Sequence, residues 1–257
     1  YDEAGLVVST HQDQVWEAEI ILPDVEKPLL VVYKPDSGMN KGTMKQAMEN
    51  LPEDSSPASH KEVAAYLVSR ELAKGEKTNP EENKLSIKDL VVPVVVREDL
   101  EYGKGSVRPY IWGQPLDRIS DEEQDLLWKD RELLELIAGY DGVINMIDRR
   151  DANLIRLTRS ENQPLKLIDH SLTFFDPVFS RLFIKSLKGP RLSVAYHNDQ
   201  NPPALKESPL SSEWQNRLFY IVEHQEALRA NLKNLLTEKE IDCIVINAQK
   251  MLEYGIY

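Results

Sequence analysis

Cysteine is all but missing from this 257-residue chain, which has one, Cys243. A lone cysteine excludes an intramolecular disulfide and fits a reducing compartment. It lies in the apolar run from Ile241 to Ile246 and reads as a small buried hydrophobe rather than a reactive thiol. No run of about 18 apolar residues occurs, which excludes a membrane-spanning helix. The opening residues lack the basic, apolar, small-residue succession of a signal peptide, so the expected location is cytoplasmic. The chain opens at Tyr1 rather than Met, which leaves a preceding targeting segment open. Basic charge is also short, with 31 Lys and Arg against 43 Asp and Glu and a formal net charge of −12. That deficit argues against a general nucleic-acid binder and, more weakly, against docking on anionic lipid. Internal repeats and low-complexity stretches are absent.

What remains is an ordinary globular composition, 41% hydrophobic and 29% charged, long enough for a sizeable core. The first half reads as strands around one helix. Leu6-Val7-Val8, the alternating Val15–Ile20 and Leu29–Tyr33 are strand-like, with the polar run Ser9–Gln14 as a hairpin between the first two. Residues 36–58 form a polar loop with a short helix around Met44–Asn50. A helix follows from Ser59 to Ala73, with Val63, Tyr66, Leu67 and Arg70 on one face. Leu90–Arg97 and Ser106–Trp112 are strand candidates flanking Gly103-Lys104-Gly105. The second half is mostly helical. Asp121–Gly139 reads as one amphipathic helix, opened by a Ser120–Glu123 capping box, with Leu126, Leu127, Leu133, Leu134, Leu136 and Ile137 as core candidates. Leu154–Leu157 and Leu165–Ile168 read as short strands around a turn at Ser160–Pro164. Two further helices span 211–235 and 237–254, with Ser212, Thr237 and Glu240 as starts. A β-rich half before an α-rich half implies an α+β fold in two lobes, 1–112 and 113–257, dividing near Gly113-Gln114-Pro115.

Four positions carry the candidate chemistry. Lys34 ends an apolar strand, where its ammonium can hold nucleotide phosphates; a solvated strand-end lysine is the alternative. Glu62, early in the next helix, can pair with Lys34 and aim it. Against that, Ser59 and Glu62 have capping-box spacing, which would turn the carboxylate to backbone amides. Asp148-Arg149-Arg150-Asp151-Ala152-Asn153 follows a helix and precedes a strand. An aspartate five residues before an asparagine suits an acceptor-orienting carboxylate and an oxygen ligand for magnesium, although charged turns of this composition are common. Asp169 ends the strand Leu165–Ile168, where a carboxylate can bind a metal that bridges phosphates or cap the next turn. His170 reads as a packing residue. Each signal is weak alone; their order along the chain, each on the expected element, is not.

Asp148-Arg149-Arg150-x-x-Asn153 is similar to the Asp-Arg-His-x-x-Asn catalytic loop of phosphatidylinositol 3- and 4-kinases, and Ile168-Asp169-His170 is similar to their metal-binding segment. Val32-Tyr33-Lys34-Pro35, Lys61–Leu67 and Asp141-x-x-x-Asn145 resemble more closely an uncharacterised bacterial family related to those lipid kinases, over about residues 5–180. Three departures stand out: no glycine-rich loop at Ser9–Gln14, Arg150 where the lipid kinases have histidine, and Ser171 where the bacterial family has glycine.

The resemblance implies a two-lobed protein-kinase-like fold with an ATP cleft between a β-rich N-lobe and a helical C-lobe. It implies ATP- and Mg2+-dependent phosphoryl transfer to an unknown acceptor: protein, lipid or small molecule. Lys34 and Glu62 would serve the phosphates, Asp148 the acceptor, and Asn153 and Asp169 the metal. The backbone around Val107, Arg108, Tyr110 and Ile111 would receive adenine. Arg149 or Arg150 would neutralise transition-state charge or serve as structural ion-pair partners. A nucleotide-binding pseudokinase acting as an interaction module and an AMP-transferring enzyme are the alternatives.

Overall fold

The computed structural model describes residues 15–21, 26–37, 54–76, 85–100, 102–147, 149–158, 165–175 and 209–255. The strand expected at Leu6-Val7-Val8, the hairpin at Ser9–Gln14, the helix at Met44–Asn50 and the turn at Ser160–Pro164 lie outside them.

Two of the apolar runs become β1 (Trp16–Ile20) and β2 (Leu29–Pro35), paired antiparallel with Ala18 opposite Val31. β4 (Gly105–Pro109) pairs with the other side of β2, and β3 (Val95–Arg97) with the far side of β4, giving the order β1-β2-β4-β3. Side chains alternate across a strand, so this register sorts them. Ala18, Val31, Tyr33 and Val107 bury together on one face. Val32 and Lys34 of β2, with Arg108 and Ser106 opposite them, share the other. Gly105 makes that pairing close: a Cβ there would lie 2.4 Å from the Lys34 carbonyl oxygen and 2.7 Å from the Pro35 Cα.

Helix α1 (Ala58–Lys74) begins after Pro57, which is extended and has no N–H to leave unpaired. Its first turn is capped from outside. Asp36, just past β2, accepts from the Ser59 N–H at 2.9 Å and the Ser59 Oγ at 2.8 Å. The expected Ser59–Glu62 capping box is therefore absent, since Ser59 spends its hydroxyl on Asp36. The buried face also differs. Ala64, Ala65, Val68 and Leu72 are buried, while Val63, Tyr66 and Leu67 are intermediate and Arg70 is exposed. Small alanines let the helix backbone approach its neighbours, which ranking by side-chain size overlooks.

The strand expected at Leu90–Arg97 starts late. A single helical turn, α2 (Ile87–Leu90), comes first, Val91 forms one bridge to Leu167, and pairing as β3 begins only after Pro93. Proline has no N–H to give a ladder. A second antiparallel sheet then forms in the order β5-β6-β7 from β5 (Gly113–Pro115), β6 (Leu154–Leu157) and β7 (Leu165–Leu167). It starts where the lobe boundary was expected, but the main core runs across that point. Ala64, Leu72 and Leu90 pack in one cluster with Leu133, Leu154 and Trp214.

The single helix expected over Asp121–Gly139 is two, α3 (Asp121–Trp128) and α4 (Arg131–Ile144). Asp130 interrupts it by accepting from the Leu133 N–H at 3.0 Å as an N-cap. Leu126, expected in the core, is 69% exposed, while Leu133, Leu134, Leu136 and Ile137 are buried. The Ser120–Glu123 capping box is present. The helix expected over 211–235 also divides, at His224, into α5 (Ser212–Glu223) and α6 (Gln225–Leu232), capped by Ser211 rather than Ser212. Helix α7 (Glu238–Tyr254) opens with a Thr237–Glu240 capping box and ends at Gly255 with φ +66°. Lys61 of α1 is buried against that opening, its Nζ 3.1 Å from Glu240 and 3.9 Å above the Phe175 ring centre. No helix among the described residues is long and apolar enough to cross a membrane.

Candidate functional site

Three of the residues singled out from the sequence meet. Lys34 leaves β2 on the face turned away from the small core. Its ammonium lies 2.6 Å from Asp169 Oδ1 and 3.2 Å from Glu62 Oε1. The two carboxylates come from distant parts of the chain, Glu62 from the first turns of α1 and Asp169 from just beyond β7. Glu62 is 4% exposed at its side chain, Lys34 16% and Asp169 29%. Of the two roles open to Glu62, the geometry therefore gives the ion pair and not the cap.

Burial works against the charge on Lys34, but Asp169 and Glu62 outweigh it and hold the ammonium's pKa above its ordinary value. Burial likewise opposes the charge on Asp169, and Lys34 and Ser171 overcome it, holding the carboxyl well below the usual range. Lys34 and Asp169 are thus held in their charged forms, with the Glu62 side chain beside them.

The turn that carries Asp169 is built for this. Asp169 has φ +57°, in the left-handed region that aspartate tolerates better than most residues. Ser171, two residues on, donates from its Oγ to Asp169 Oδ1 at 2.8 Å. A glycine would leave that oxygen without the bond. This role was not read from the sequence, where Ser171 counted only as a departure from the resembling family.

Asn153 is 5% exposed and sits beside the same turn, its carbonyl accepting from the Ile168 N–H at 3.1 Å. Asp148 lies outside the described residues. The segment around it is tightly held. Arg149 is fully buried and forks onto Asp141, with Nη2 to Oδ1 at 2.9 Å and Nε to Oδ2 at 3.1 Å. Its Nη1 donates to the Ile168 carbonyl at 3.0 Å. Arg149 is therefore a structural partner that ties α4 to the chain just before Asp169, not a group available to a ligand. The Asp141-x-x-x-Asn145 spacing has the same basis: Asn145 ends α4 with φ +50°, and the Met146 N–H returns to the Asp141 carbonyl at 2.9 Å. His170 is 1% exposed and packs edge-on against Tyr140, and burial pushes its pKa well down. It is a neutral packing residue, as expected.

The backbone expected around adenine is the end of β4 and the connection that follows it. Val107 pairs with Tyr33 on one side and Val95 on the other and turns its side chain into the small core. Arg108 points to the Lys34 face. The Tyr110 N–H donates to the Leu30 carbonyl at 3.0 Å, and Ile111 lies in the short connection from β4 to β5. A groove of about 470 Å3 lies elsewhere, lined by Ser55, Phe175, Thr237, Glu240, Cys243 and Ile246. Its polar groups are engaged in the Lys61–Glu240 network and the α7 cap, and Cys243 gives its Sγ–H to the Phe175 carbonyl at 2.9 Å.

Among the described residues, no three His, Cys, Asp or Glu side chains gather as a metal cage. One carboxylate, with Asn153 on the adjoining backbone, suits magnesium, which keeps its waters and takes few protein ligands when phosphate oxygens complete the shell. Asp169 Oδ2, unlike Oδ1, makes no hydrogen bond among the described residues. No protein-family model matches this chain, and no curated protein matches it.

Proposed function

We propose that the chain is an ATP- and magnesium-dependent phosphotransferase with a two-lobed protein-kinase-like arrangement, of the phosphatidylinositol 3-/4-kinase-like kind. The observation that carries this reading is the Lys34 ammonium held between Glu62 and Asp169. A purely structural ion pair needs one partner. A lysine aimed by a buried helix carboxylate and shared with a more exposed carboxylate from another element is the arrangement that phosphoryl transfer uses.

In this reading Glu62 orients Lys34, and Lys34 neutralises phosphate oxygens. Asp169 and Asn153 would hold a magnesium ion, whose charge would offset that of the phosphate oxygens. Ser171 fixes the Asp169 carboxylate. The Tyr110–Trp112 connection receives the base, and Asp148 orients the acceptor hydroxyl. Positioning and electrostatics supply most of the rate in such transfers, so removal of one oriented group costs far more turnover than affinity.

The test uses ATP labelled at either the γ- or the α-phosphate, with nucleotide binding measured in parallel. The expected result is magnesium-dependent release or transfer of the γ label. Lys34→Met and Asp169→Asn should abolish it. Asp148→Ala should bind ATP like the parent but turn over roughly 100-fold more slowly, while Asp151→Ala keeps most activity. Incorporation of the α label would make the enzyme an AMP transferase. ATP binding without turnover would make it a pseudokinase, and a parent that binds no nucleotide would end the reading.

A further inference from the structure

Among the described residues, one cation on the Lys34 face of the first sheet has no partner. Arg108 stands opposite Val32 in the β2–β4 register, and Lys34 stands opposite Ser106, so both cations project from the same face. Along the strands their rows are two residues apart, about 7 Å. Arg108 is partly buried and lies in the fields of the Glu62 and Asp169 carboxylates. Yet among the described residues it makes no hydrogen bond and no ion pair. The contrast with other interior arginines is plain. Arg149 forks onto Asp141, and Arg217 donates to Glu76 at 3.3 Å.

A guanidinium carries five donors in a rigid fork, and no Arg108 nitrogen is among the sealed, unpartnered atoms of the described residues, so the fork stays open to an incoming acceptor. Burial pushes the Arg108 pKa below its ordinary value, against the pull of Glu62 and Asp169. Such a group is set up for an acceptor that arrives with a ligand. Both nearby carboxylates already serve Lys34, so among the described residues no anionic acceptor is left for Arg108.

We propose that Arg108 is a second anion receptor of this site, beside Lys34, and that the ligand it selects carries two or more phosphoryl groups. The fork takes two oxygens of one phosphoryl group, which leaves the Lys34 ammonium for its neighbour. A monophosphate satisfies only one of the two cations. The proposal deepens the nucleotide reading given above and rests on it for the base, but not for the phosphates.

The experiment is titration calorimetry with ATP, ADP, AMP and inorganic tripolyphosphate, each with magnesium. It compares the parent with Arg108→Gln, Arg108→Lys, Lys34→Met and, as a control, Arg97→Gln, which removes a cation paired with Asp99 on the same sheet. Arg108→Gln should weaken ATP and tripolyphosphate by about 10- to 100-fold and AMP by less than about threefold. Arg108→Lys should restore part of the loss, and Arg97→Gln should change nothing. If Arg108→Gln melts early, the ATP-to-AMP affinity ratio of Arg108→Lys decides, and an unchanged ratio overturns the proposal. Loss of ATP binding in Lys34→Met with none in Arg108→Gln overturns it and keeps the nucleotide reading. Tripolyphosphate binding that needs Arg108, in a parent that ignores ATP, keeps it and removes the nucleotide. A parent that binds none of the four overturns both.

Discussion

Lys34 is the residue on which the cluster turns, because without it two interior carboxylates face each other uncompensated. Lys34→Met should therefore lower stability by about 3 kcal/mol, the scale of breaking a buried pair by removing one partner. Adding Glu62→Gln should return much of that loss, because it removes the more deeply buried of the stranded charges. Chemical denaturation of the two single variants and the double variant measures the coupling; additive losses would mean that the 3.2 Å contact carries no energy. The pH dependence has a definite sign. Asp169 is held below the ordinary carboxylate range, so its contribution is present above about pH 4 and fades as pH falls towards its depressed value. Lys34 is held above the ordinary lysine value, so its contribution is present below about pH 10.5 and fades only at higher pH. The stability gap between parent and Asp169→Asn should stay flat from about pH 5 to 9 and narrow below about pH 4. A gap that changes between pH 6 and 8 would point to another titrating group.

Helix α1 draws its position from the end of the strand it follows. Asp36 accepts both the N–H and the hydroxyl of Ser59, so β2 and α1 are joined three residues ahead of Glu62. Asp36→Ala should cost about 1 kcal/mol as a lost cap. It should also reduce nucleotide use, which Ser59→Ala repeats more mildly because the N–H bond survives. Equal melting with unchanged activity in Asp36→Ala would show that the helix is placed by its buried face alone. This link also marks where the sequence stops being readable. Lys34, Glu62 and Asp169 were legible because each closes an apolar strand or opens a helix. The cap on α1 was not, because its acceptor lies 23 positions away in the chain, where a local spacing rule sees only Ser59 and Glu62. The breaks at Asp130 and His224 were missed for a related reason. Leucine and other apolar residues continue at helical spacing through both; a competing cap overrides that periodicity at Asp130, and at His224 the backbone leaves helical geometry, φ −107° and ψ 26°, without a side-chain cap.

Across the whole molecule, the α+β content and most strands followed from apolar periodicity, whereas β5, read as a lobe boundary, and the turn α2, read as strand, did not. Nor did the distribution of the core. Ala64, Val68 and Leu72 join a cluster that extends to Leu232 and Ile244, so the helix bearing Glu62 is fixed by the second half of the chain as well as by β2. Lys61 adds a polar tie to α7 through Glu240. Lys61→Met should destabilise by about 3 kcal/mol, with Lys61→Met/Glu240→Gln recovering part of it, as thermal melts would read. Full additivity would mean that the Ser55, Ser56 and Thr237 contacts satisfy Glu240 without the lysine.

Lys61 and Glu62 are consecutive, yet one reaches α7 and the other reaches Lys34. Successive helical residues point about 100° apart, so the two ion pairs act on α1 from different sides, like two pins through a shaft. A roll about the helix axis that relaxes one pin loads the other. Rotation is a mode they oppose, and a slide of α1 with β2 would also stretch the Lys61 pin, because Glu240 belongs to α7. When a ligand draws Lys34 away, α1 is therefore still held to α7 by the second pin.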